Sequence, residues 1–152
     1  MSQEGQEGKA SLAPYALALV VCDAIWRDPW TGKRTILGCF SAIYAPTFPV
    51  VHPVMSVYLA ITDGHGTLPI TLRLIDSEEE RPAVFEVKGD VSFPDPRVVM
   101  ELDFAVANIL FPAAGEYRLQ LSSGPNLLME RRIVVFATGE DENEPDSETK
   151  HD

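Results

Sequence analysis

The chain has 152 residues, 45% of them apolar and 9% aromatic, with 12 basic against 23 acidic side chains and a formal charge of -11. That is sequence for one domain, long enough to bury roughly two-thirds of its unfolded surface without a disulfide framework or structural metal. The acidic balance weighs against nucleic acid and anionic membrane as partners, because both draw their affinity from clustered Lys and Arg, and no basic run occurs anywhere.

The charge is unevenly placed. Residues 1–13 (MSQEGQEGKASLA) are polar and carry a net of -1. Residues 139–152 (GEDENEPDSETKHD) hold seven acids, one lysine and no aliphatic or aromatic side chain. Neither stretch has the apolar surface to offset the entropy of ordering, so both are expected to be a disordered arm and a disordered acidic tail. The tail could contact a basic partner or simply solubilise the chain. The stretch 14–138, read as the folded domain, is then only mildly acidic.

The first apolar run, 16–22 (ALALVVC), has seven residues. A spanning helix needs about twenty, and the residues before it lack the basic start of a secretory signal. Leu19-Val20-Val21-Cys22 is similar to a lipoprotein cleavage box, but Val21 is too bulky before the cysteine. A cytoplasmic location is expected, with Cys22 and Cys39 as buried reduced thiols in preference to a redox pair.

From there the apolar positions alternate with period two: Met55, Val57, Leu59, Ile61; then Leu68, Ile70, Leu72, Leu74; then Val98, Met100, Leu102, Phe104, Val106; then Tyr117, Leu119, Leu121. Alternation of this kind marks strands with one face in a core and one in water. Turn residues separate them at Asp28-Pro29, Asp63-Gly64, Pro94-Asp95-Pro96, Pro112 to Gly115 and Ser123-Gly124-Pro125. Eight strands are expected, at about 15–27, 34–45, 54–62, 67–76, 83–92, 98–110, 116–122 and 127–137. Twelve prolines leave no room for a long helix. The expected fold is an all-β antiparallel immunoglobulin-like sandwich of about seven to eight strands. Tyr117, after Gly115, is placed for the tyrosine corner of such sandwiches, in which a hydroxyl returns to the backbone upstream.

The first hairpin differs from the rest in being apolar on both faces, which implies a covered position or a partner surface. If Asp28 faces Lys33 across a four-residue loop, Cys22 lies opposite Cys39, Val21 opposite Phe40, Ile25 opposite Ile36 and Asp23 opposite Gly38. Alternation then sets Asp23 beside Leu19, Val21 and Ile25. An acid there could be catalytic or metal-binding, but a structural carboxylate accepting N–H bonds from a nearby loop is the simpler reading, since an isolated buried carboxylate is costly. On that reading Asp23→Ala lowers the melting temperature.

No nucleophile elbow, phosphate loop or dinucleotide fingerprint is present, and Gly64-His65-Gly66 lacks a strand-to-helix setting. The two cysteines and three histidines have no zinc-ligand spacing. Glu78-Glu79-Glu80 with Asp76 could hold calcium, but Arg81 follows at once and a solvated loop is the plainer interpretation. No cofactor, metal or catalytic residue is therefore assigned. Trp30 at the hairpin tip and Phe48, Val50 and Val51 in the Pro-rich stretch 45–53 are the candidate interaction surface, although Phe48 and Val51 could instead cover the end of a sandwich.

Taken together, these residues resemble a family of small uncharacterised bacterial proteins, a domain of unknown function with an immunoglobulin-like β-sandwich. The shared pattern is Cys-Asp (Cys22-Asp23), Gly-Lys (Gly32-Lys33), Leu-Gly-x-Phe (Leu37-Gly38-Cys39-Phe40), Phe-Pro (Phe48-Pro49) and Gly-x-Tyr (Gly115-Glu116-Tyr117). The resemblance covers about 15–137 and implies a fold without an activity. Trp26 and Trp30 depart from the polar residues usual in that hairpin. The expected function is a non-enzymatic module that binds a protein partner or associates with itself. A small-ligand carrier or enzyme with a pocket near Asp23, and a structural component of a larger bacterial complex, are the alternatives.

Overall fold

The computed structural model describes residues 13–78 and 81–139, and the expected terminal arm and acidic tail lie almost wholly outside them. Within the described residues the chain is all-β, with nine strands and no helix: β1 (Tyr15–Arg27), β2 (Arg34–Cys39), β3 (Ala42–Ala45), β4 (Val50–Thr62), β5 (Gly66–Asp76), β6 (Phe85–Phe93), β7 (Met100–Phe111), β8 (Gly115–Ser123) and β9 (Asn126–Ala137). They form a four-stranded sheet, β2-β1-β4-β7, and a five-stranded sheet, β3-β9-β8-β5-β6. No helix there is long and apolar enough to cross a membrane.

The alternating side chains build the core from both sheets. Leu19 and Val21 of β1, Met55, Val57, Leu59 and Ile61 of β4 and Phe111 of β7 meet Leu72, Leu74, Tyr117, Leu119, Leu121 and Ile133 of the other sheet. Each of these is nearly inaccessible, and burying one such side chain stabilises the fold by about 1.5–3 kcal/mol. Polar partners at the intervening positions face water, as with Arg73 beside Glu86 and Arg118 between Glu116 and Glu130.

Two elements differ from the sequence reading. The stretch expected as one strand over 34–45 is two, because the chain leaves the first sheet after Cys39 and joins the second at Ala42, where β3 runs parallel to β9. Gly38, at φ 71°, and the Phe40–Ser41 step make that change of sheet. β4 also begins at Val50, before Pro53. That proline is tolerated because the β4–β7 ladder passes it by: His52 pairs with Ile109 and Val54 with Ala107, and Asn108 between them has a φ of 54°.

Candidate functional site at the first hairpin

The β1–β2 hairpin has the register implied by its four-residue loop: Cys22 faces Cys39, Ala24 faces Leu37, Ile25 faces Ile36 and Arg27 faces Arg34. Asp28 closes the loop. Its N–H donates to Lys33 O and its carbonyl accepts from Gly32, while its carboxylate accepts from the Thr31 hydroxyl at 2.7 Å. The Thr31 bond, with the Trp30 N–H, holds the Asp28 carboxyl below the usual range.

This hairpin does not continue the plane of its sheet. Val20 pairs with Tyr58, and Tyr58 with Asp103, so these three share one level of the sheet. Arg27 and its partner Arg34 lie seven residues further along β1, about 23 Å in an extended strand. Yet the Arg34 guanidinium is 3.3 Å from Glu101 and 3.7 Å from Asp103. The distal half of β1 and all of β2 therefore fold back over the face of the sheet turned away from the core.

Arg34 is the fastening. Its side chain is only 9% exposed, it donates to both the carboxylate and the main-chain carbonyl of Glu101, and its Nε, 3.7 Å from Asp103, has no hydrogen-bond partner among the described residues. The Tyr58 hydroxyl donates to the other Glu101 oxygen. Burial, reinforced by the Glu101 carboxylate, pushes the Tyr58 phenol up to about 12. Nearer the bend, the Ser56 hydroxyl donates to Asp23 O, and Ile25 lines a cleft of about 230 Å³ with Ser56, Asp103 and Ala105.

With Ile25 and Arg34 facing the sheet, alternation turns Ala24, Trp26, Thr35 and Leu37 outward. Trp26 is 52% exposed, Leu37 48% and Trp30, at the tip, 90%. Two tryptophans and a leucine on this one fastened hairpin form an apolar surface that none of the described residues covers. A second exposed aromatic pair, Tyr44 and Phe136, stacks at 5.2 Å across the parallel β3–β9 contact.

The other residues singled out in the sequence are dispersed. Phe48 and Val50 are half-buried and pack against the core, so they cap the fold rather than stand free. Val51 is exposed but pairs with Leu110, seven residues along β7 from Asp103 and so roughly 23 Å from the Arg34 fastening. Asp23 is exposed, not buried, and its carboxylate lies over Gly38. Alternation led to a buried place beside Val21, but β1 pairs with β4 only as far as Cys22, and Asp23 beyond it is exposed. Cys39 is likewise exposed, while Cys22 is buried. Tyr117 is 1% exposed and donates to Ala113 O at 2.6 Å. Glu79 and Glu80 lie outside the described residues, and Asp76 is taken by Arg81 at 2.6 Å. Among the described residues no three His, Cys, Asp or Glu side chains are grouped to hold a metal ion.

Arg34, Tyr58, Glu101 and Asp103 carried no sequence motif. The one available signal was the two-faced apolar character of the first hairpin, which requires a cover on one face and leaves the other to be explained.

Comparison with known proteins adds a family. A model described as a family of unknown function (DUF6941) matches residues 17–136. No curated protein matches. Similar solved structures include β-D-glucoside glucohydrolase from Trichoderma reesei, at 14% identity and TM-score 0.45, covering 80% of this chain and 18% of that one. A β-glucosidase from Kluyveromyces marxianus aligns at 10% identity and TM-score 0.41, over 64% of this chain and 15% of that one. A β-glucosidase from Listeria innocua in complex with isofagomine aligns at 12% identity and TM-score 0.43, over 81% and 16%. The chain spans less than a fifth of each of these enzymes, and likeness at this level carries no functional weight.

Proposed function

The chain belongs to the DUF6941 family of unknown function, and from that premise we propose that it is a non-enzymatic binding module that docks a partner protein on the outward face of the β1–β2 hairpin. The observation that carries the reading is Trp30, 90% exposed at the tip of a hairpin fastened by a nearly inaccessible arginine. Aromatic anchors on a rigid support lose little entropy on docking, and tryptophan is enriched among residues that dominate binding energy.

We further read the scaffold as immunoglobulin-like. The strand order supports it: β4 pairs with β7 in one sheet, β5, β8 and β9 are neighbours in the other, and β3 runs parallel to the last strand. Tyr117, at the start of β8 and bonded back to Ala113, has the tyrosine-corner geometry.

Retention of proteins from a native lysate tests the docking reading. The intact chain and a Phe136→Ala variant retain a common protein that Trp30→Ala loses; identical retention by all three contradicts it. A second reading, self-association, is favoured by the Tyr44–Phe136 stack at the β3 edge. On that reading Phe136→Ala, and not Trp30→Ala, shifts the elution volume in sizing chromatography.

A further inference from the structure

Cys22 and Cys39 are direct cross-strand partners at the bend where the hairpin leaves the sheet. The Phe40 N–H donates to Val21 O at 3.1 Å, which makes the Cys22–Cys39 pair one of the non-hydrogen-bonded kind. In such pairs the Cα atoms lie about 4.5 Å apart and both side chains rise from the same face. A disulfide requires a Cα separation of about 4.4–6.8 Å, so the backbone already meets it.

The two thiols differ in access. Cys39 is exposed on the edge strand, whereas Cys22 is fully buried with its Sγ toward the carbonyls of Ala24 and Ser56, at 3.5 and 3.6 Å. A reagent from solution can reach the first and not the second. This is the arrangement of an attacking and a resolving thiol.

We propose that Cys22 and Cys39 are a redox modification site, which a low-molecular-weight disulfide such as oxidised glutathione converts into a cross-strand disulfide at the root of the hairpin. The Cys39 thiolate attacks one sulfur of the reagent, whose S–S bond breaks; one reagent thiolate leaves with the electron pair, and a mixed disulfide remains on Cys39. The Cys22 thiolate then attacks the Cys39 sulfur and expels the second reagent thiolate. The protein pair is oxidised by two electrons, the reagent is reduced to two thiols, and the two protein protons end on the departing sulfurs. The site is independent of the docking reading, since it needs no partner.

Burial, and after it the neighbouring Cys39, push the Cys22 thiol up. Closure of the ring therefore quickens as pH rises. The mixed disulfide on Cys39 forms first, because Cys39 alone is exposed to the reagent.

The test is intact-mass and peptide mapping of the full native chain after exposure to oxidised glutathione across a pH series, with acid quench and alkylation of free thiols. The expected result is a transient adduct on the Cys39 peptide, followed by loss of both alkylatable thiols and a linked Cys22–Cys39 peptide. Cys22→Ser, checked for a native circular dichroism spectrum, retains the adduct without progression, and Cys39→Ser takes up none. A persistent Cys39 adduct in the unmutated chain, two thiols that stay free, or linkage between two chains through Cys39 would each overturn the proposal. The reading on the unmutated chain stands whether or not the variants fold.

Discussion

Arg34 and Glu101 form an ion pair at 3.3 Å although their strands, β2 and β7, are the two opposite edges of the same four-stranded sheet. A flat or gently twisted sheet cannot bring its edges together, so the contact defines the fold-back of the hairpin. It also sets the orientation of Trp26 and Leu37, which face outward because Arg34 and Ile25 face in, and it positions the loop that carries Trp30.

Removing the fastening should therefore release the hairpin more than it unfolds the core. Arg34→Ala is expected to cost about 1–2 kcal/mol, below the figure for a fully buried pair because Glu101 and Asp103 are each partly exposed. Urea unfolding measures the loss, and limited proteolysis should show new cleavage between residues 23 and 39. An unchanged cleavage pattern would mean that the hairpin is held by something else.

The Tyr58 phenol supplies a pH dependence with a definite sign. Its pKa rises from 10.0 to about 12 in the folded chain, so the folded state keeps the proton longer than the unfolded one. That contribution is fully present below pH 10, and it is lost as pH climbs through about 12. Tyr117 is shifted in the same direction by burial and adds to the trend. Stability from urea titrations should fall across this window, and less steeply in Tyr58→Phe.

The Tyr117 hydroxyl closes a bond to Ala113 O inside the core boundary. Tyr117→Phe keeps the ring, and with it the edge contact to Phe111 at 5.0 Å, while leaving the carbonyl without this donor. The expected cost is about 1–2 kcal/mol in chemical denaturation. A change near zero would show that the corner contributes packing alone.

Much of this was legible in the sequence. Period-two alternation is a local property, and it located the strands of Met55–Ile61, Leu68–Leu74 and Tyr117–Leu121 because each buries one face against the same core. The hairpin register followed from a loop closed by Asp28. The fold-back was not legible, because it rests on a contact between residues 67 apart that no local pattern encodes. The change of sheet at Phe40–Ser41 escaped for the same reason: Ile43 alternates correctly for either sheet.

Asp23 shows the difference between face and burial. Alternation sets it beside Val21, but the β1–β4 pairing has ended at Cys22, and the charge is solvated. Asp23→Ala is accordingly expected to change stability by less than about 0.5 kcal/mol. Gly38 opposite it is the sensitive position, since its φ of 71° disfavours any side chain and a Cβ there would meet the Asp23 carboxylate. Gly38→Ala should cost about 1–2 kcal/mol, and Asp23→Ala should not restore it, because the backbone term remains. Thermal melts of the two single variants and the double variant decide this.

The docking claim is tested most directly by placing a photoreactive phenylalanine analogue at position 30, and separately at position 44, in the full chain and irradiating native lysate. Adducts formed at position 30 with one partner protein, competed by added unmodified chain and lacking at position 44, are the predicted result. Adducts at position 44 alone, or none at position 30 above an unirradiated control, would contradict the assignment of the hairpin as the docking surface.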